Sequence, residues 1–178
     1  MRLAVVVLVC AGSVAAFVAA TAVEGTSSAS SCPPVLLSSG PLWSEETGQH
    51  TATFVLTNRS QHACVFDGYP RVQLLDPHHR LLRFRYSHAG DQMITSRPPH
   101  RVIIRPRGRV FFALNKYRCD IRATAGARFI RAQLPGQSAW LQLRLSLYPS
   151  LDYCAEKPSL IVTVSPLVES LAKATATP

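Results

Sequence analysis

This sequence predicts an all-β protein, an antiparallel β-sandwich of seven or eight short strands, with an open barrel as the alternative. Three observations carry that expectation. Apolar and polar residues alternate with period two along most of the chain. Turn-forming residues interrupt the alternation at short intervals, and no stretch shows the periodicity of a long helix. With 178 residues, 47% hydrophobic and 16% charged, the chain suits one globular domain and is too apolar to be disordered.

Each element follows from the alternation. In Thr51–Asn58, Ala52, Phe54 and Leu56 share one face, while Thr51, Thr53, Val55 and Thr57 take the other. Val72 and Leu74 alternate with Arg71 and Gln73, and Leu82, Phe84 and Tyr86 alternate with Leu81, Arg83 and Arg85. Asp76-Pro77-His78-His79 supplies the turn between those two runs. Val102 and Ile104 lead into a turn at Pro106-Arg107-Gly108, and Val110, Phe112 and Leu114 follow on one face. Phe129–Leu134 precedes a Pro135-Gly136 turn. Leu141, Leu143, Leu145 and Leu147 then alternate with Trp140, Gln142, Arg144 and Ser146, the cleanest strand pattern in the chain. Leu160, Val162 and Val164 close the series before Pro166. The sandwich domain is therefore bounded at residues 32–168. Residues 23–31, small and polar, read as a flexible leader, and residues 169–178, without strand or core signal, as a disordered tail.

The N-terminus points to a compartment. Met1-Arg2, an almost unbroken apolar stretch from Leu3 to Val23 and an Ala20-Thr21-Ala22 exit have the form of a secretory signal over residues 1–22. The same stretch is long enough to stay as an uncleaved anchor. Arg2 on the short leading side favours translocation of the remainder in both cases. The expected location is extracytoplasmic, either secreted or associated with the cell envelope. A lipid anchor is not expected, because Val9 precedes Cys10 and Ala29 is a poor start to a lipidation box at Cys32.

Cys10 falls within the signal and leaves Cys32, Cys64, Cys119 and Cys154. An even number of cysteines in an exported domain reads as two disulfides. Three connectivities are open, and spacing does not choose among them; sequential pairing would staple each half of the domain separately. Zinc binding is the competing use of four thiols. It needs close pairs such as C-x-x-C, and the nearest two here are more than 30 residues apart.

The stretch Thr57-Asn58, then Ala63-Cys64-Val65-Phe66-Asp67-Gly68-Tyr69-Pro70, then Val72-Gln73-Leu74-Leu75-Asp76 resembles an actinobacterial family of exported domains catalogued as domain of unknown function (DUF) 4232. The resemblance continues through Pro106-Arg107-Gly108 ahead of Val110–Leu114 and through Cys119 and Cys154, and covers roughly Cys32 to Pro166. It implies an immunoglobulin-like β-sandwich at the cell envelope, with no established reaction and no catalytic residues to carry over. The turn after Asp76 departs from the family's pattern, since Pro77-His78-His79-Arg80 stands where a Gly is usual. Gly68-Tyr69-Pro70 also has a plain structural reading: Gly permits positive φ, Pro fixes its own φ, and Tyr covers the core edge with its hydroxyl wet.

Signals for catalysis and cofactors are sparse. G-x-S-x-G nucleophile elbows and Gly-rich phosphate loops are absent. His78-His79 could join Asp76 or His88 around a metal, but neighbouring strand residues face opposite sides and no H-x-H or H-x-x-x-H spacing occurs. Enzymatic activity, a cofactor and a bound metal are therefore not expected. Asn58-Arg59-Ser60 matches a glycosylation acceptor in form and reads first as a strand end.

Charge is the feature that points outward. Nineteen Lys and Arg stand against ten acidic residues, a formal net charge of +9. Arg97, Arg101, Arg105, Arg107, Arg109, Lys116, Arg118, Arg122, Arg128 and Arg131 fall within 35 residues, opposed there only by Asp120. On one exposed face they would attract an anionic envelope polymer or a membrane surface. Nucleic acid is not an expected partner, given the compartment and the lack of a recognition motif. Arg outnumbers Lys 16 to 3, so codon bias and solubility form the competing account. The expected function is a noncatalytic binding module of the cell envelope. Its rivals are a structural envelope protein with no specific ligand and a metal or redox module.

Overall fold

The computed structural model describes residues 35–120, 123, 125–146 and 151–176. The signal and leader expected over residues 1–22 and 23–31 lie outside the described residues, as do Cys32 and Arg122. In chain order the strands are β1 (Val35–Glu46), β2 (Gln49–Asn58), β3 (Cys64–Phe66), β4 (Arg71–Leu75), β5 (Arg85–Ser87) and β6 (Val102–Ile104). They continue as β7 (Arg109–Tyr117), β8 (Ala125–Gly126), β9 (Phe129–Gln133), β10 (Trp140–Arg144), β11 (Asp152–Tyr153) and β12 (Ile161–Val164). One four-residue helix, α1 (Leu171–Ala174), follows. No helix among the described residues is long and apolar enough to cross a membrane.

The strands form a five-stranded sheet of order β1-β2-β7-β12-β5, a three-stranded sheet of order β10-β9-β4, and two small pairs, β3-β6 and β8-β11. The expected all-antiparallel pairing needs one correction: β12 and β5 run parallel, with Val162 opposite Tyr86. Parallel neighbours need a long crossover, and here the chain visits the rest of the fold between them. The strand count also exceeds the expectation, because β1, the three-residue β3 and the two-residue β8 and β11 add to the runs that the alternation marks. Gly40 and Pro41 interrupt the β1 pattern, and its register with β2 shifts between Ser39 and Trp43. Thr53 spans that irregularity, its hydroxyl taking the Leu42 N–H at 3.1 Å and donating to the Leu42 carbonyl at 2.8 Å. Gly40 lies so close to Thr53 that any Cβ would collide with it.

The inward residues that the alternation picks out make one core cluster. Ala52, Phe54 and Leu56 of β2, Val110, Phe112 and Leu114 of β7, and Val162 and Val164 of β12 meet Val72 and Leu74 of β4 and Ile130 and Ala132 of β9. The rings of Phe54 and Phe112 stack with centroids 5.0 Å apart. Burying a large side chain of this kind stabilises by roughly 2–3 kcal/mol, so the two sheets are held mainly by these alternating positions.

The other face of the five-stranded sheet overturns a second expectation. Residues 169–178 were expected to form a disordered tail, yet residues 169–176 pack onto the molecule. Thr175 bridges to Ile94, Thr95 N–H reaches the Ala174 carbonyl at 3.2 Å, and Ala176 N–H reaches the Met93 carbonyl at 2.9 Å. Ala174 is fully buried with Ile94, Ala113 and Val168. Main-chain bonds and one methyl group hold this strap, and neither leaves a hydrophobic period in the sequence. Glu169 anchors its start, 2.9 Å from Lys173 Nζ and 2.9 Å from His100 Nε2. Burial works against its charge, but those two partners hold the Glu169 carboxyl down at about 2. The same side of β2 and β7 carries buried polar residues. Thr51 Oγ1 donates to Asn115 Oδ1 at 2.9 Å, and Asn115 Nδ2 donates to Gln49 at 2.6 Å and to Asp91 at 3.0 Å.

Cys119 and Cys154 form a disulfide with Cα atoms 6.0 Å apart. Cys64, buried at the start of β3, is also disulfide-bonded.

Candidate functional site

The run of cations between residues 97 and 131 does not form one face. Arg101, Arg105, Arg107 and Arg109 cluster, all exposed, around the β6–β7 turn. Arg97 borders the C-terminal strap, in a cleft it shares with Lys173. Arg118 lies beyond the far end of β7, roughly 30 Å from Arg109 at the usual strand rise. Arg128 points back over its own neighbourhood, Nη1 donating to the Ala127 carbonyl at 3.4 Å. Arg131 belongs to β9, in the other sheet.

Lys116 is the clearest correction. It is 1% exposed rather than on an outer cationic surface, and its ammonium donates to the Tyr117 carbonyl. Burial pulls its pKa down to about 8 from 10.5, partly offset by the carboxylates of Asp152 and Glu156. Tyr86 is shifted the other way: burial raises it to about 12 from 10.0, against the Leu74 N–H that its oxygen accepts. The two shifts act on stability with opposite sign. Between pH 8 and 10.5 the unfolded chain keeps the lysine proton that the folded chain has released, so stability rises with pH. Between pH 10 and 12 the unfolded chain has lost the tyrosine proton that the folded chain retains, so stability falls. Urea unfolding across the alkaline range should therefore show a maximum near pH 10. Lys116→Met should abolish the rise and add about 2–3 kcal/mol at pH 7; an unchanged alkaline profile in that variant would count against a buried charged lysine.

Cations do converge elsewhere. On the three-stranded sheet, Arg71 of β4 and Trp140 of β10 both pair in register with Gln133 of β9. The next row is Gln73, Arg131 and Gln142, and the third is Leu75, Phe129 and Arg144. Strand alternation turns all nine side chains to the face opposite the core residues Val72, Leu74, Ile130 and Ala132. The guanidiniums of Arg71 and Arg131 lie 5.7 and 5.2 Å from the Trp140 ring centroid, within cation–π range. Arg131 also donates to Gln73 Oε1. At the far end His79 stacks on Phe129, centroids 4.0 Å apart. No carboxylate occurs in the sequences of β4, β9 or β10. Of this set only Arg131 was anticipated. The alternation did place Arg71, Gln73, Trp140, Gln142 and Arg144 outward, but the order of the strands, which brings them together, has no local signature.

A groove of about 320 Å³ runs along the free side of β4. Its apolar floor includes Val72, Leu82, Phe84 and Val164, and its walls include Arg71, Arg83 and the stacked rings of Tyr69 and His88, whose centroids are 3.9 Å apart. Burial lowers the pKa of His88 from its ordinary value. Two lining residues are tied to β4 through Leu74, whose N–H donates to Tyr86 Oη at 3.0 Å and whose carbonyl accepts from Leu82 N–H at 3.0 Å.

Several residues singled out in the sequence turn out to be structural. The Asn58 amide donates to the carbonyls of His62, Ile104 and Arg105, at 2.7, 3.0 and 3.3 Å, and its Oδ1 accepts from Ser60 N–H and Oγ. Fully buried and with its nitrogen so engaged, Asn58 is no glycosylation acceptor in the folded chain. Asp76 organises the turn that lacks a Gly: Oδ1 accepts from His78 and Arg80 N–H, and Oδ2 from Arg80 Nε at 2.7 Å. Burial opposes the charge, but these donors outweigh it and hold the Asp76 carboxyl below its usual value. His79 takes the left-handed conformation, φ 59, that a Gly would supply. Gly68 has φ 118, and its carbonyl receives Leu167 N–H at 3.2 Å. Among the described residues no three His, Cys, Asp or Glu side chains are grouped so as to hold a metal ion.

In comparison with known proteins, the family model described as "Domain of unknown function (DUF4232)" matches residues 32–129. No curated protein and no solved structure matches the chain.

Proposed function

Because the chain belongs to the family described as domain of unknown function (DUF4232), we propose that it is a noncatalytic, extracytoplasmic binding module of immunoglobulin-like sandwich fold that takes an anionic envelope polymer. The observation that carries this reading is the outer face of the three-stranded sheet. Three strands there bring Arg71 and Arg131 to Trp140 and set three glutamines and Arg144 on the same face, without a carboxylate among them. Guanidiniums bind carboxylate or phosphate groups as planar forks, the indole offers a flat apolar surface, and the amides bond hydroxyls. A repeating polyanion would engage several rows at once. The secretory form of residues 1–22 and the Cys119–Cys154 disulfide support an oxidising, extracytoplasmic location.

The oxidised full chain should be retained on immobilised polygalacturonate at about 50 mM salt and released by about 500 mM, since exposed charge pairs are screened. Arg71→Gln with Arg131→Gln should weaken retention about tenfold, with the melting temperature unchanged, while Arg118→Gln at the far end of β7 should not. Equal retention of the double variant, or retention indifferent to salt, would favour the rival account of a structural envelope protein with no specific ligand.

A second reading, docking to an anionic membrane surface, rests on a different observation. Val65 and Ile103, 39% and 59% exposed, face each other across β3 and β6, with Arg101 and Arg105 two residues either side of Ile103. On anionic phospholipid vesicles Ile103→Ser should then weaken binding, and Arg131→Gln should not.

A further inference from the structure

We infer that the groove along β4 is a separate binding site, for a small amphiphilic carboxylate. The lining residues include Arg71 and Arg83 but no Asp or Glu, so the site selects against cations and attracts anions. Both arginines are exposed at the walls, while Val72, Leu82 and Phe84 are buried along the floor. A ligand satisfying both must carry one negative group at an end and an apolar body behind it. At about 320 Å³ the groove lies at the small end of ligand sites, enough for a carboxylate with on the order of ten carbons.

Two fixed donors sharpen the choice of headgroup. The Tyr86 oxygen accepts the Leu74 N–H, which leaves its own O–H to donate. Val72 supplies the second. On β4, Leu74 directs its N–H and C=O into the groove side, whereas Leu75 turns its carbonyl to Arg128 in the other direction. Main-chain groups alternate sides along a strand, so Val72, two residues before Leu74, presents its N–H and C=O to the groove. The site is thus an arginine-flanked slot between the edges of the two sheets, with β4 on one side and β5 on the other. The Tyr69–His88 stack stands at its mouth, Tyr69 Oη lying 3.5 Å from the His88 carbonyl.

This site does not depend on the polymer-binding face. Arg71 borders both, but Arg83 belongs to the groove and Arg131 to the face. The test is a titration of the oxidised full chain with octanoate, followed by amide NMR shifts, with 1-octanol and acetate as partial probes. Octanoate should produce saturable shifts centred on Val72, Leu74, Leu82 and Tyr86, while octanol and acetate bind at least about tenfold more weakly. Arg83→Gln, a change at an exposed position, should raise the octanoate dissociation constant about tenfold, and Arg131→Gln should leave it unchanged. Absence of saturable shifts, equal binding of octanol, or indifference to Arg83→Gln would overturn the inference. So would an equal loss in Arg131→Gln, which would place the ligand on the outer face instead.

Discussion

Asn58→Ala should destabilise the folded chain by about 3 kcal/mol, read as a shift in urea midpoint at constant slope. The expectation follows from what one side chain connects. Asn58 ends β2, and its amide reaches the loop carbonyl of His62 and the carbonyls of Ile104 and Arg105 at the end of β6. The main chain repeats the link: Asn58 N–H donates to the Gly108 carbonyl at 3.0 Å, and its own carbonyl accepts from Arg107 N–H at 2.9 Å. Truncation leaves the buried Ile104 carbonyl without its side-chain donor and the Ser60 amide without its acceptor, and it unties the links to the His62 and Arg105 carbonyls. Each buried orphan costs about 1–3 kcal/mol. Asn58→Asp separates this account from simple loss of volume. It keeps the acceptor for Ser60 but turns the donor into an oxygen facing three carbonyls, so its loss should be at least as large. A cost below about 1 kcal/mol for either variant would mean that the amide is not the knot described.

Removing the Cys119–Cys154 bond as the double serine variant should cost about 3–4 kcal/mol, because it releases a crosslink between residues 35 apart. The bond ties the chain just beyond β7 to the residue after β11. β11 itself is only two residues long and pairs with the equally short β8, so the ladder alone offers little. Cys154 is 3% exposed and Leu151 1%, and both depend on that region staying closed. Hydrogen exchange in the double variant should therefore accelerate first at Ala125, Gly126, Asp152 and Tyr153, with β2 and β7 still protected. Uniform loss of protection would show instead that the crosslink acts on the whole core, and a cost under about 1 kcal/mol would remove it from the stability argument.

The parts of this molecule legible in the sequence are those set by the backbone's own period. Phe54 and Leu56, Val110, Phe112 and Leu114, and Val162 and Val164 alternate in the sequence and are buried as that alternation demands. Turn residues were legible for the same reason: Asp76 bonds to amides within four residues, and Gly68 needs only its own φ. The family block around Cys64 and Gly68-Tyr69-Pro70 could be read too, although its Asn58 does its work through carbonyls 46 and 47 residues away.

Local pattern by itself determined which residues of each strand face inward, where the chain turns, and that a β-rich body results. Tertiary structure alone decided which strands become neighbours: that β12 lies parallel to β5, that the last residues strap the back of β7, and that a lysine in a basic run is buried near Asp152 and Glu156. It likewise brought Arg71 and Arg131, 60 positions apart, to one indole while dividing the consecutive arginines among separate surfaces. The physical reason is the range of the forces involved. Alternation comes from the geometry of adjacent peptide units and is written into every pair of residues. Sheet order comes from the burial of whole faces against each other, a quantity shared by the entire chain and carried by no single segment of it.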